Sequence, residues 1–199
     1  MFRLIATLIL SLCLLDTAVA GDAAAGQGKS AVCSGCHGAD GNSAVPTFPK
    51  LAGQGDRYLA KQIGDIKAGT RAVVEMTGLT DALTPQDMAD IAAFFAAQAS
   101  STGAVDPALL EQGEKLFKAG NAAKGVPACI GCHGPAGLGM AAAGFPRLAG
   151  QHSDYTALQL RKFRAGERMN DDNAMMRGVA ANLSDAEIKA LASYISGLY

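Results

Sequence analysis

The chain has 199 residues, which is enough for one large domain or two small ones. Its 17 basic and 18 acidic residues give a net charge of −1, and this balance argues against a nucleic-acid-binding protein, which needs a basic surface. The 24 glycines indicate a fold with many tight turns and close backbone approaches.

The N-terminal segment has the pattern of a secretory signal peptide. Its apolar run, Leu4 to Leu15, is shorter than the roughly 20 residues that a membrane-spanning helix needs. Arg3 precedes the run, and small residues ending at Ala20 follow it, so we expect cleavage after Ala20 and export of the mature chain. A retained membrane anchor is the alternative, whereas a lipoprotein is disfavoured because a leucine stands directly before Cys13.

The first predicted unit is helical. A cluster of two cysteines and a histidine, Cys33, Cys36 and His37, opens it, and a middle helix is expected to follow Asp56. Its last helix is predicted to begin after Thr84, because Asp87 stands three residues on, as in a capping box, and apolar residues then recur at helical spacing.

The rest of the chain repeats this unit. The offset between matching residues drifts from 96 to 100, so the insertions are small and fall in loops. We predict that residues 21–98 form a first domain, 99–105 a linker of small and polar residues, and 106–199 a second domain. The most recognisable matches are the segments Phe48–Gln54 and Phe145–Gln151, the pairs Tyr58 and Tyr155, Arg71 and Arg168, and the Leu83 and Leu183 positions.

The second unit is predicted to use the same helices. Asp106 followed by proline indicates an N-cap that opens the first helix of this unit. A middle helix is expected after Ser153, and a last helix after Ser184, with Glu187 completing a capping box. No stretch of the sequence has a convincing strand pattern, so the predicted fold class is all-α.

The cysteine cluster occurs twice, at Cys33, Cys36 and His37 and again at Cys129, Cys132 and His133. This spacing is that of covalent attachment of a c-type haem. Positions i, i+3 and i+4 share one face of a helix, so the two thiols can reach the porphyrin as thioethers while the histidine points at the iron. The sequence therefore predicts two c-type haems.

Other cysteine sites explain the pattern less well. The cysteine pairs of a zinc site are usually about 15–20 residues apart, much closer than these two pairs. A thioredoxin-like redox pair would need surrounding βαβ units. Two disulfides in an exported protein would account for the four cysteines but not for the two adjacent histidines.

The sixth iron ligand decides between electron transfer and chemistry at an open site. In the first unit the candidates are Met76 and Met88, and Met88 lies on the apolar stripe of the last helix, which favours Met76. In the second unit Met176 keeps the same distance from its last helix as Met76, with Met175 as the near rival. Met140, Met169 and His152 have no counterpart of their own type in the first unit and are expected to be loop, packing or helix-start residues.

On both haem motifs, both Phe-Pro-Lys/Arg-Leu-Ala-Gly-Gln segments and the Met-x-Gly turns, the chain resembles the cytochrome c4 family over residues 21–199. The resemblance implies two tandem class I cytochrome c domains with their haems near the domain interface. It implies His37/Met76 and His133/Met176 ligation, and hydrogen bonds from the ligand histidines to the carbonyls of Pro49 and Pro146.

By the same resemblance we expect a periplasmic electron carrier rather than an enzyme. Its implied partners are a quinol-oxidising complex and a terminal oxidase, and peripheral membrane association is compatible with it. The alternatives are the haem subunit of a flavoprotein dehydrogenase and a dihaem peroxidase. The peroxidase would need an open sixth position, against which Met76 and Met176 argue. We further hypothesise that some of the repeated residues Tyr58, Tyr155, Arg71 and Arg168 contact haem propionates.

Overall fold

The computed structural model describes residues 20–199. The predicted signal peptide, except for its last residue Ala20, lies outside the described residues. Across residues 20–199, no helix has the length and apolar character needed to cross a lipid bilayer. The same residues contain helices and turns, with two isolated β-bridges and no strand, so the all-α prediction is confirmed.

Each half of the described chain supplies a first, a middle and a last helix with shorter helices between them. In the first half the helices are α1 (Ala23–Lys29), α2 (Ala31–His37), α3 (Asp56–Lys67) and α4 (Pro85–Ala96). In the second half they are α5 (Leu110–Ala119), α6 (Ile130–His133), α7 (Ser153–Ala165), α8 (Met175–Ala180) and α9 (Asp185–Gly197). Short 3₁₀ turns lie at Val74–Met76, Ala122–Lys124, Ala141–Ala143 and Asp172–Ala174.

The first and last helices of each half cross at a glycine. A Cβ added to Gly26 of α1 would lie 2.0 Å from the carbonyl oxygen of Asp90 on α4. A Cβ on Gly113 of α5 would lie 2.4 Å from the carbonyl oxygen of Ala190 on α9. The backbones therefore approach closely enough that only a residue without a side chain fits.

Each half has a hydrophobic core of its own. In the first half five buried residues form it, all of them from α3 and α4: Leu59, Ile91, Ala92, Phe94 and Phe95. In the second half thirteen buried residues form a larger cluster, which draws on α5, α7, α8 and α9. Separate cores agree with a fold of two tandem units. The domain boundaries at 98/99 and 105/106 stay predictions.

The predicted starts of the two last helices are confirmed, and the two middle helices begin one residue earlier than predicted, at Asp56 and Ser153. Thr84 and Ser184 both form reciprocal capping boxes with Asp87 and Glu187. The predicted helix start after Asp106, however, is wrong. The Asp106 carboxylate accepts a hydrogen bond from Ala108 N at 2.9 Å, which closes a local turn, and α5 begins only at Leu110. The Asp106 side chain therefore accepts a hydrogen bond within a turn instead of capping the N-terminus of a helix.

Candidate functional site

Helix α2 carries the first cysteine cluster and presents His37 to the interior. The ring is 7 % exposed, and its Nδ1 donates a hydrogen bond to the carbonyl oxygen of Pro49 at 2.9 Å. Burial lowers the pKa of His37, while the bond to Pro49 opposes the shift. The imidazole is therefore neutral near pH 7, and the bond at Nδ1 leaves the Nε2 lone pair free to bind a metal.

The second cluster has the same geometry. Cys129 precedes α6, which carries Cys132 and His133. The His133 ring is 6 % exposed and donates from Nδ1 to the carbonyl oxygen of Pro146 at 2.9 Å, and burial again lowers its pKa. Both hydrogen bonds expected at the Phe-Pro segments are thus present. None of the four cysteines is paired in a disulfide, as attachment to a porphyrin requires.

The two clusters open into one cavity of about 880 Å³ that both halves line. Met76 and Met176 lie in its wall and are half-buried. Met175 also reaches the wall but is 43 % exposed, whereas Met176 packs against the second core. The remaining methionines lie away from the cavity: Met88 is half-buried on α4, and Met140 and Met169 are exposed.

The cavity lies across an interface that is held by reciprocal hydrogen bonds. Gln54 accepts from the backbone nitrogen of Arg147 at 2.7 Å and donates to its carbonyl oxygen at 3.0 Å. Gln151 does the same to Lys50 of the other half, at 2.9 Å in both directions. These glutamines end the repeated Phe-Pro segments, so each copy of the segment binds the other copy.

The repeated arginines and tyrosines also pair across the halves. Arg71 donates to the hydroxyl of Tyr155 at 2.9 Å, and Arg168 donates to the hydroxyl of Tyr58 at 3.1 Å. Both guanidinium groups also donate to Gln62 of α3, at 2.9 Å and 3.0 Å. The sequence marked these four side chains as a repeated set but gave no sign that they pair between the halves.

Several cationic side chains in the cavity wall have no anionic partner among residues 20–199, and three of them, Lys50, Arg71 and Arg168, are buried. No carboxylate lies within 4.0 Å of the charged nitrogens of Lys50, Arg71, Arg147 or Arg168. Arg71 and Arg168 are only 9 % and 7 % exposed, and Lys50 is 9 % exposed. Burial lowers the pKa of Lys50. Buried charges are normally paired, so this wall is built to receive anions.

These residues fit two c-type haems. The cavity supplies two cysteine pairs, two neutral imidazoles with a free Nε2 and a thioether for each half. Each haem also brings two propionate carboxylates, and the buried cations Lys50, Arg71 and Arg168, with the half-buried Arg147, are the complementary charges. Sequence reasoning missed Lys50, Arg147, Gln54, Gln62 and Gln151. Their repetition in both copies of the unit is the signal that could have found them, and Gln62 is repeated as Gln159.

Comparison with known proteins agrees with this geometry. The family model for cytochrome c matches the chain twice, over residues 23–98 and 110–198. The chain is 58 % identical to the cytochrome c4 of Pseudomonas aeruginosa, with 100 % of both chains covered. The crystal structure of reduced recombinant cytochrome c4 from Pseudomonas stutzeri superposes with a TM-score of 0.89 at 59 % identity, covering 90 % of this chain and 100 % of that one.

A more distant relative has a name that states a partner. The "thiosulfate dehydrogenase electron acceptor" of Stutzerimonas stutzeri is 37 % identical over 83 % of this chain and 78 % of the relative.

Proposed function

This chain belongs to the cytochrome c4 family of dihaem electron carriers, with two covalently attached c-type haems, and on that premise we propose that it is a periplasmic shuttle whose two irons are each held between histidine and methionine. The proposed attachment sites are Cys33, Cys36, Cys129 and Cys132. The proposed axial pairs are His37 with Met76 and His133 with Met176. The carrying observation is that both members of each pair line the same cavity, from two different elements of their own half.

Haem iron supplies a one-electron couple, and the chain's residues set its properties. A thioether opposite imidazole favours the ferrous state, so Met76 and Met176 raise the reduction potential. The apolar wall from the two cores acts in the same direction, because burial disfavours the extra positive charge of the ferric state. With Met76 and Met176 in place, no axial position is left for a substrate, which supports a carrier and argues against a peroxidase.

The buried cations of the interface have a role in this proposal. Arg71 and Arg168 are held by Gln62 and by the tyrosine of the opposite half, so their charges are fixed before any propionate arrives. We infer that they neutralise propionates and thereby keep both haem edges close to the interface. Electrons could then enter by one half and leave by the other with little movement of protein atoms.

The partners proposed from the family are a quinol-oxidising complex as donor and a terminal oxidase as acceptor. A second candidate donor is a dehydrogenase, because one relative is named as an electron acceptor of thiosulfate dehydrogenase. Reduction assays distinguish the two donors. If the donor is a quinol-oxidising complex, membranes supplied with quinol should reduce the protein faster. If the donor is a dehydrogenase, the purified dehydrogenase with its substrate should reduce it faster. Co-purification with a flavin-containing chain would favour the dehydrogenase-subunit alternative.

Export is tested on the mature protein. Cleavage after Ala20 predicts an N-terminal sequence that begins at Gly21, obtained from the periplasmic fraction of expressing cells. A mature chain that retains Leu4 to Leu15 and stays with the membrane fraction would favour the anchor instead.

Optical spectroscopy tests the ligation. Ferric protein should show the weak far-red band of sulfur-to-iron ligation, and ferrous protein should bind carbon monoxide only slowly. Met76→Ala and Met176→Ala should each remove about half of that band and open one haem to carbon monoxide. Met88→Leu is the matched control, because this methionine does not reach the cavity. A wild-type protein with a high-spin, accessible haem would contradict the proposal and favour the peroxidase.

A further inference from the structure

The loop that carries the second axial methionine differs from its counterpart. Five positions separate Arg71 from Met76, whereas eight separate Arg168 from Met176. In the longer loop Asn173 and Ala174 have φ values of 53° and 57°, and they are the only non-glycine residues of the described chain with positive φ. An alanine in this region is disfavoured, so surrounding contacts must hold the loop in this shape.

Asp171 provides those contacts. Its carboxylate is 5 % exposed and accepts two hydrogen bonds from Arg177, one from the backbone nitrogen at 2.9 Å and one from Nε at 2.8 Å. The amide belongs to the first turn of α8, whose N-cap residue, Ala174, has no side-chain cap of its own. Asp171 therefore fixes the rotation of the α8 backbone and not only one side chain. The first half has Thr77 where Arg177 stands, with only a backbone bond to Val74.

Rotation of α8 matters because Met175 and Met176 are neighbours on its first turn. Successive side chains point about 100° apart around a helix. In the observed orientation of α8, Met176 packs against the second core. Met175 is 43 % exposed, although it also touches the cavity wall. A turn of the helix by about one residue would exchange the two thioethers.

We propose that the Asp171–Arg177 pair is a register lock that selects Met176 over Met175 as the sixth ligand of the second haem. This inference rests on the proposed His/Met ligation of that haem. Asp171 and Arg177 act on the iron through the helix, so they are positioning residues. The lock explains why a tandem pair of methionines does not give two interchangeable ligands.

Proton NMR of the reduced holoprotein tests the lock, because a methionine methyl bound to haem iron has a resonance shifted far from all others. Wild type should give one such resonance per haem. Asp171→Asn should add a further one, from roughly one tenth or more of the molecules, that disappears in the double variant with Met175→Leu. Asp172→Asn is the matched control: it removes the same charge from the same loop, but its carboxylate is 69 % exposed and faces Lys61 instead of Arg177.

A second measurement starts from Met176→Leu, a variant in which Asp171 is still present. With the lock intact, Met176→Leu should leave the second haem open to carbon monoxide, because Met175 is held outside. Adding Asp171→Asn should let Met175 ligate and slow carbon monoxide binding at least tenfold. Ligation by Met175 in Met176→Leu alone, or equal spectra for Asp171→Asn and Asp172→Asn, would overturn the lock. Absence of the sulfur-to-iron band in wild type would instead overturn the proposed ligation itself.

Discussion

The two halves reach the same crossing of first and last helix by different means. In the first half the crossing is polar: Asp90 is 2 % exposed and accepts from the backbone nitrogen of Asp22 at 2.8 Å and from Lys29. In the second half Ala190 occupies the crossing, and the Phe117 ring packs against that of Tyr194 with ring centroids 5.5 Å apart and the planes tilted by 49°. Both crossings have a glycine that lets the two backbones approach closely. The residues around the glycine differ, polar in the first half and apolar in the second.

Replacing the crossing glycines should have the largest effect. In Gly26→Ala and Gly113→Ala the new Cβ meets backbone atoms at 2.0 Å and 2.4 Å, so the helices must separate. We expect each change to lower the free energy of unfolding by about 3 kcal/mol, the upper end for overpacking. Guanidinium unfolding of the holoprotein, followed by far-ultraviolet circular dichroism, measures this.

Gly28→Ala is the matched control for these changes. Gly28 lies in the same helix as Gly26, but a Cβ there meets nothing within 4 Å. Alanine favours the helix, so this variant should gain about 1 kcal/mol. If Gly26→Ala were as stable as Gly28→Ala, the close crossing would not be what holds α1 to α4.

Replacing the reciprocal glutamines tests how much the interface between the two halves contributes to stability. Gln54→Ala leaves the buried backbone groups of Arg147 without partners and should cost about 2 kcal/mol. Gln151→Ala should cost less, because Gln54 is 6 % exposed whereas Gln151 is only half-buried. Unfolding and limited proteolysis within residues 99–105 measure the change. Equal proteolysis of wild type and both variants would show that these bonds do not hold the halves together.

The sequence predicts what is local and what is repeated. The haem motifs and both capping boxes follow from short patterns with fixed spacing, whereas the Pro49 and Pro146 acceptors were implied by the family resemblance. The helix start after Asp106 was wrong because an aspartate side chain can close a turn as readily as it caps a helix.

Such short patterns do not predict the arginine–tyrosine hydrogen bonds between the two halves. Nothing in a linear repeat distinguishes Arg71 bound to the tyrosine of its own half from Arg71 bound to Tyr155. The choice depends on how the two units dock, and docking brings together residues that are 84 positions apart in the chain. The Asp171–Arg177 contact is local but was missed, because the counterpart of this loop in the first half is shorter and has Thr77 at the position of Arg177, so the repeat gives no signal.

The buried arginines provide a smaller, electrochemical test of the equivalence of the two halves. Arg71→Gln should lower the potential of the first haem, and Arg168→Gln that of the second, because each removes a positive charge that disfavours the ferric state. Charges ~8 Å apart at an effective dielectric of ~40 interact by about 1 kcal/mol, which is on the order of 40 mV. A redox titration measures this, with Arg161→Gln as control, because Arg161 is exposed and lies outside the cavity wall. An unchanged potential in both buried variants would count against contact with propionates.

The capping boxes should give the smallest effect and reveal a difference between the halves. Thr84→Ala and Ser184→Ala each remove one reciprocal cap, at a cost of about 1 kcal/mol near pH 7. Glu187, unlike Asp87, also binds Asn121, at 3.1 Å, besides its lysine partner Lys124, at 2.8 Å. Ser184→Ala should therefore be the milder of the two, which thermal unfolding of the matched pair measures.

Acid unfolding distinguishes the stabilising contribution of the Glu187 carboxylate from that of the Ser184 hydroxyl in the second capping box. The hydrogen bond from Lys124 holds the pKa of Glu187 at about 2, below its ordinary 4.5, against the opposing effect of burial. A carboxyl group whose pKa is lowered by folding stabilises the protein above its unfolded pKa, and that contribution is lost as the pH falls. Glu187→Gln should therefore lower stability at pH 7, with a difference from wild type that shrinks between about pH 4.5 and pH 2. Ser184→Ala removes one hydroxyl donor but keeps the carboxylate and its partners Lys124 and Asn121, so it should retain most of the wild-type dependence on pH. A gap between wild type and Glu187→Gln that stayed constant down to pH 2 would mean that the Lys124 contact does not stabilise the charged carboxylate.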